Sequence, residues 1–184
     1  AGVSLSFMKI TFFTEERGQT IKQFTKKGKI LFTHFGLSGP LILNSSKMVS
    51  DLLHKGNVTA FIDAYPDTDI GTLEAKIIKV FDQNKNKDLK NIFKEITPDG
   101  TSDAIMSLLK NIDTNKKVHS ITKEERRQIV DLMKALPVSV KGLMGHDRAV
   151  VSDGGIDLRE IDTKTMRSKK IDNLFVTGDL LHIN

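Results

Sequence analysis

Two kinds of hydrophobic spacing divide this chain and limit what it can fold into. The N-terminal end alternates apolar and polar residues at the period of a half-buried strand, as in Val3, Leu5 and Phe7. Between about Thr68 and Leu136, apolar residues instead recur three and four positions apart, which is the spacing of a helix face. The helical sets are Leu73/Ile77/Val80/Phe81, Leu89/Ile92/Phe93/Ile96, Ile105/Leu108/Leu109/Ile112 and Ile129/Leu132/Met133/Leu136. Strand spacing returns after Pro137, so the pattern predicts helices inserted between two strand-forming segments.

The predicted fold class is α+β. Residues 1–66 and 137–171 are expected to form a β-rich, barrel-like subdomain, and residues 67–136 a small helical subdomain inserted in one of its loops. The expected strands are residues 3–13, 19–24, 29–32, 58–64, 138–140, 149–152 and 156–158. The last two flank Asp153-Gly-Gly155, a turn sequence that is typical of a hairpin.

Two helix starts carry recognisable signals. Pro40 suits the first position of a helix, where its missing N–H costs nothing, and an apolar face follows through Leu53. Thr122 and Glu125 have the spacing of a capping box, which predicts that the last helix begins after Thr122. Pro137 is expected to stop that helix.

Composition excludes several classes of protein. The 184 residues contain no cysteine, which excludes disulfides, thiolate metal sites and a cysteine nucleophile, and favours a cytoplasmic location. The five histidines show no paired metal-ligand spacing, so no metal site is expected. No apolar run approaches the roughly 20 residues that span a bilayer, so no membrane partner is expected.

The net charge of +5 raises the question of a polyanionic partner. Many lysines are interleaved with acidic residues, as in Lys123-Glu-Glu-Arg126, and one tyrosine and no tryptophan could stack on bases. This distribution favours a solvated basic surface. The sequence interpretation is therefore that the chain has no nucleic-acid partner.

Two short segments are candidates for chemistry. The loop Thr33-His-Phe-Gly-Leu-Ser-Gly-Pro40 has two glycines that permit close backbone approach, and it allows two readings: an anion- or carbonyl-binding loop, or a tight turn in which His34 makes local hydrogen bonds. The segment Asn173-Leu-Phe-Val-Thr-Gly-Asp179 is an apolar strand that ends in a glycine and a carboxylate, which could accept hydrogen bonds from ligand hydroxyls. An ordinary turn would have the same sequence.

Four segments in order resemble one family. They are Ile30 to Pro40, Ser152-Asp-Gly-Gly-Ile156, Glu160 to Lys169 and Leu174-Phe-Val-Thr-Gly-Asp179, and together they resemble the BaiN/YhiN-type family of bacterial NAD(P)/FAD-dependent flavoproteins. In that family a glutathione-reductase-type FAD domain is interrupted by a β-rich and a helical subdomain. The resemblance implies that residues 172–184 are a C-terminal remnant of the FAD-binding domain.

The resemblance also implies a site. Thr177, Gly178 and Asp179 would lie at FAD, with Asp179 holding ribityl hydroxyls, and NAD(P)H is a possible second cofactor. The loop residues Thr33, His34, Gly36, Ser38 and Gly39 would face the substrate or the flavin. No catalytic residue is identified.

The chain contains no Gly-x-Gly-x-x-Gly, the element that binds the pyrophosphate of a dinucleotide. The resulting hypothesis is the substrate-side insertion region of an FAD-dependent oxidoreductase, inactive alone, whose partner is the rest of its own FAD-binding domain.

Two alternatives stay open. One is a non-catalytic α+β interaction module that binds a partner through its basic surface. The other is a hydrolase that uses His34 or His146, although the chain lacks a Gly-x-Ser-x-Gly nucleophile motif.

Overall fold

The computed structural model describes residues 3–145 and 154–182, except for the side chains of Val3, Ser4, Ser6 and Asp179. The predicted strand at residues 149–152, Asp153 and His146 therefore lie outside the described residues. The chain divides into two compact units, Ala1–Gly142 and Leu143–Asn184, and each is described by itself.

The first unit is built on a curled, half-barrel sheet of five strands. Their order across the sheet is β3-β2-β1-β4-β5, and every neighbouring pair is antiparallel. The strands are β1 (Val3–Glu16), β2 (Gln19–Thr33), β3 (Gly36–Ser38), β4 (Val58–Asp63) and β5 (Leu136–Val140). The fold class predicted from the sequence, α+β and barrel-like, is confirmed.

Six helices accompany this sheet in the described part of the first unit. They are α1 (Pro40–Leu43), α2 (Ser46–Leu53), α3 (Ile70–Gln83), α4 (Leu89–Ile92), α5 (Ser102–Ser107) and α6 (Lys123–Lys134). Helices α3 to α6 lie in the chain between β4 and β5, where the helical spacing predicted them. Among the described residues, no helix is long and apolar enough to span a membrane.

One face of the sheet is covered and belongs to a hydrophobic core. Met8, Ile10 and Phe12 of β1 are buried on this face, and α1 and α2 pack against it through Leu41, Val49 and Leu52. A second core joins the helices, with Phe93, Ile129 and Met133 fully buried. Burial of these alternating and helical apolar sets provides the main favourable term for folding.

The capping box predicted at the start of α6 is confirmed. Thr122 accepts a hydrogen bond from the Glu125 backbone N–H at 3.1 Å, and the Glu125 carboxylate accepts one from the Thr122 N–H at 2.8 Å. Pro40 occupies the predicted first turn of α1. However, the helix predicted through Leu53 breaks at Asn44 and Ser45, where the Ser45 hydroxyl bonds back to the Leu41 carbonyl at 2.7 Å.

Strand β2 differs from its prediction. The sequence indicated two short strands, at residues 19–24 and 29–32, because the polar run between them interrupts the apolar pattern. The structure has one continuous strand, because β1 is equally long and pairs with it from Val3↔Phe32 to Glu16↔Gln19. Residues 26–29 are exposed or half-exposed, which is compatible with lysines in a strand at the sheet edge.

The second unit is small. Strands β6 (Ile161–Asp162) and β7 (Arg167–Ser168) form a short hairpin, and Ile161, Val176 and Leu181 form its core. The strand predicted at residues 156–158 is reduced to one bridge, Ile156↔Leu181, followed by a 3₁₀ turn.

The Arg159 side chain, which hydrogen-bonds to Asp157 beside that turn, lowers the pKa of the Asp157 carboxyl to about 2. The domain boundaries and the FAD-domain remnant at residues 172–184 stay predictions.

Candidate functional site

The predicted loop at residues 33–40 contains a two-residue hairpin turn, strand β3 and the first residue of α1. Thr33 pairs with Gly36 across β2 and β3, and its hydroxyl donates to the Gly36 carbonyl at 2.8 Å. His34 and Phe35 form the exposed two-residue tip, with their rings edge-to-face at 4.8 Å. The interpretation in which His34 makes the local hydrogen bonds of this turn stays a prediction, because the bond across the turn comes from Thr33.

Gly39 is the position in this loop that most needs a glycine. Its φ is +97°, and a Cβ there would lie 3.0 Å from the Leu31 backbone N and 3.1 Å from the Lys29 carbonyl O. The chain therefore passes close to β2 before Pro40 begins α1. Gly39 has a structural role, and the roles of Thr33, His34, Gly36, Ser38 and Gly39 toward a ligand stay predictions.

The second predicted cluster lies in the C-terminal unit. Val176 is buried and anchors the segment, whereas Thr177 and Gly178 are exposed. Gly178 has φ +68° and open space where a Cβ would lie, so a ligand could approach its backbone closely. Nothing is described for the Asp179 side chain. These residues could contribute one edge of a flavin site, and Thr177, Gly178 and Asp179 stay predicted ligands.

In residues 3–145 and 154–182, no three His, Asp or Glu side chains lie close enough together to hold a metal ion.

The sheet has a second face, on the side away from the hydrophobic core, which is here called the outer face. The helices that bury the core face do not cover it. Residues directly opposite each other on neighbouring strands share a face. The outer face is therefore defined by three strand pairs: β1 with β2, β1 with β4, and β4 with β5. Its central residues are exposed or half-exposed. They are Lys9, Thr11 and Phe13 on β1, Lys22, Thr25 and Lys27 on β2, Thr59 and Phe61 on β4, and Pro137 and Ser139 on β5.

Strand β2 is the most basic element of the sheet. It carries four lysines, Lys22, Lys26, Lys27 and Lys29, and no aspartate or glutamate. Lys26 pairs with the buried Ile10 and so lies on the core face, whereas the other three lysines lie on the outer face. The helical segment 67–136 has 13 Lys and Arg against 12 Asp and Glu, so it is almost neutral. Most of the chain's net charge of +5 is therefore concentrated on one strand.

Phenylalanines lie on the same face. Phe13 and Phe61 are half-buried neighbours on β1 and β4, with ring centroids 5.5 Å apart in an edge-to-face arrangement. A bulge between Leu5 and Met8 leaves Ser6 and Phe7 of β1 opposite the single residue Lys29 of β2. Phe7 is 76% exposed, while Leu5 and Met8 on either side of the bulge are buried in the core.

Sequence reasoning missed this surface for two reasons. The composition of the whole chain conceals the run from Gln19 to Thr33, which has four lysines and no acid. Tyrosine and tryptophan are also not the only rings that can stack on bases, because the chain has 10 phenylalanines. The lysine-rich, acid-free run of β2 was the available signal, whereas its position opposite Phe13 of β1 depends on strand pairing.

A family model described as HI0933-like protein barrel and H2TH domain matches residues 1–151. Two curated relatives are both named ribosomal RNA dihydrouridine synthase. The protein from Escherichia coli (strain K12) is 25% identical over 170 residues, which is 92% of this chain and 39% of the relative. The protein from Haemophilus influenzae is 25% identical over 155 residues, 84% of this chain and 36% of the relative. The chain thus spans about two fifths of the length of these relatives.

These comparisons contradict two sequence interpretations. The hypothesis of an oxidoreductase insertion region is wrong, because the matched relatives are named ribosomal RNA dihydrouridine synthase, which points to an RNA-modifying enzyme. The expectation of no nucleic-acid partner is wrong for the same reason. The physical reason is that four lysines are concentrated on β2, where Lys22 lies opposite Phe13 of β1.

Proposed function

Because this chain belongs to the HI0933-like family, matched across its barrel and H2TH region, we propose that it is part of an enzyme that forms dihydrouridine in ribosomal RNA. The observation that carries this proposal is the similarity along 92% of the chain to an enzyme named for that reaction. The lysine-rich strand β2 supports it independently, because phosphates of RNA attract clustered cations.

The product defines the chemistry that the enzyme must perform. Dihydrouridine is uridine with two hydrogens added across the C5–C6 double bond, so one carbon receives a hydride and the other a proton. A bound flavin would supply the hydride, and NAD(P)H would be the source of its electrons. The residues Thr177, Gly178 and Asp179 of this chain would contribute to holding FAD.

The barrel and H2TH region would then bind the RNA. A uridine in folded RNA must be unpaired or extruded before a cofactor can reach its ring, so the protein must hold the flanking strand. We assign that role to this chain. The cytoplasmic location inferred from the sequence stays a prediction.

The test is to supply the complete protein that contains this chain to an Escherichia coli K12 strain that lacks its own synthase. Ribosomal RNA would be digested to nucleosides, and dihydrouridine measured by mass spectrometry. Restored dihydrouridine is the expected result. If the protein is expressed and carries flavin, yet the nucleoside stays absent from rRNA of both this strain and the source organism, the proposed function is wrong.

A further inference from the structure

We propose that the outer face of the sheet binds a single-stranded segment of RNA, with unpaired bases stacked on its phenylalanines and phosphates contacting its lysines. The phenylalanines are Phe7, Phe13 and Phe61, and the lysines are Lys22, Lys27 and Lys29. This inference rests on the proposed function for the identity of the nucleic acid, and it assigns the binding surface.

Aromatic and basic side chains lie next to each other on the outer face. Register pairing sets Phe13 directly opposite Lys22, and Phe61 lies beside Phe13 on the next strand. Stacking platforms flanked by cations are what a single strand requires, because every base has a π-face and every linkage carries a negative charge. A double helix keeps its bases stacked on each other, so it could use only the lysines.

Phe7 combines a strained backbone with an exposed ring. Its φ of +61° costs conformational free energy for a bulky side chain. Because the side chain is 76% exposed, burial within this chain offsets little of that cost. The bulge holds this ring in solvent opposite Lys29. A base stacked on Phe7 would bury the ring, and the free energy of that burial would offset the cost of the strained backbone.

The spacing of these side chains along the sheet fits an extended strand of nucleic acid. Phe7 and Phe13 are six positions apart on β1, which corresponds to about 20 Å along the strand. On the antiparallel strand β2, a row of lysines runs alongside, from Lys29 opposite the bulge at Phe7, through Lys27, to Lys22 opposite Phe13. An extended strand of several nucleotides could therefore contact both rows at once, with its bases on the phenylalanines and its phosphates on the lysines. Known single-strand-binding OB folds bind about 4 to 16 nucleotides.

Lys27 already has a partner, which does not prevent this use. Its Nζ lies 2.8 Å from Asp67 Oδ1, and both side chains are more than half exposed. An ion pair this exposed contributes little net free energy. A phosphate can therefore replace Asp67 as the partner of Lys27.

The charge test uses this 184-residue chain and a fluorescein-labelled single-stranded RNA of about 12 nucleotides. Binding is followed by anisotropy at several KCl concentrations for wild type, for K22Q/K27Q/K29Q and for the control K76Q/K79Q/K94Q. The control removes the same charge from exposed lysines of the helical segment. We expect the outer-face variant to lower the slope of log Kd against log salt by about 2 and the control to leave it unchanged. Equal effects of the two variants would overturn the proposal.

The aromatic test uses F7A and F13L, with I78A as the control for loss of an exposed apolar side chain. F7A removes a ring that is mostly in solvent, so it is expected to leave folding intact, and F13L keeps apolar volume while removing the π-face. Each is expected to weaken single-strand binding about tenfold, with the salt slope unchanged. Circular dichroism melting monitors folding. Wild-type affinity of folded F7A and F13L, or equally tight binding of a blunt RNA duplex, would overturn the proposal.

Failure of this inference can be separated from failure of the proposed function. If the complete protein forms dihydrouridine and the outer-face variants bind RNA and react as wild type does, the surface is wrong and the function stands. If the variants lose RNA binding as expected while the complete wild-type protein forms no dihydrouridine, the surface is supported and the reaction is wrong.

Discussion

Lys134 Nζ lies 2.8 Å from Asp63 Oδ2, although 70 residues separate them in the chain. Asp63 ends β4 and Lys134 ends α6, so this pair joins the two points at which the helical segment leaves and re-enters the sheet. Lys9 approaches the same oxygen at 3.2 Å, and the Tyr65 N–H donates to Oδ1 at 3.0 Å. Lys134 also donates to the Tyr65 and Thr68 carbonyls.

Asp63→Ala is therefore expected to destabilise the protein. The Asp63 side chain is 5% exposed, and its removal leaves Lys134, 15% exposed, without its carboxylate. Breaking a buried pair in this way costs about 3 kcal/mol of unfolding free energy. Urea denaturation measures the change. The control Asp67→Ala removes a carboxylate that is 75% exposed, so little change is expected; equal midpoints for the two variants would contradict the importance of the junction.

Thr122→Ala is expected to lower the free energy of unfolding by about 1 kcal/mol, because it removes the side-chain half of the capping box of α6. Thr122→Ser keeps the hydroxyl and should be close to wild type. Thermal denaturation followed by circular dichroism compares the three proteins. A serine variant as unstable as the alanine variant would show that the hydroxyl is not the important group.

Acid should weaken the same helix start. The hydrogen bond from Lys116, followed by that from the Thr122 backbone, holds the pKa of Glu125 below its ordinary value of 4.5. A lowered carboxyl pKa contributes stability that is present above the ordinary value and is lost as the pH falls through the folded-state pKa. The stability difference between wild type and Glu125→Gln should therefore be largest near pH 6 and shrink toward about pH 3. Urea titrations across this range would reject the idea if the difference stayed constant.

Gly39→Ala should destabilise the connection between β3 and α1. The added Cβ would contact the backbone of Leu31 and Lys29 at 3.0 and 3.1 Å, and the φ of +97° disfavours any side chain. A loss of about 1 to 3 kcal/mol is expected from denaturant unfolding. The control Gly142→Ala meets no atom within 4 Å and should be nearly neutral.

The helical segment was largely predictable because its information is local. Periodic apolar residues and the pair Thr122 and Glu125 lie within one or two turns of each other, so their spacing in sequence is their spacing in structure. The bend at Ser45 was missed because a single hydroxyl competes there with the helix hydrogen bonds.

The outer face was not predictable from local spacing. Phe13 meets Phe61 and Lys22 only through strand pairing, and bulges after Leu5 and after Phe12 shift the register. The hairpin tip at His34 and Phe35 contains neither glycine nor asparagine, so the usual sequence signal of a two-residue turn is missing. Both features depend on which distant strands pair and in which register, and this pairing cannot be read from a single sequence.

The lysines of β2 have one more consequence, for self-association. Beyond the three residues paired with β3, the described part of β2 has β1 as its sole strand neighbour, so a long row of backbone N–H and C=O groups faces outward at the sheet edge. Such an edge can add a strand from another copy, and like charges on that strand make two copies repel. Neutralising Lys22, Lys26, Lys27 and Lys29 together would leave an edge able to grow into aggregates.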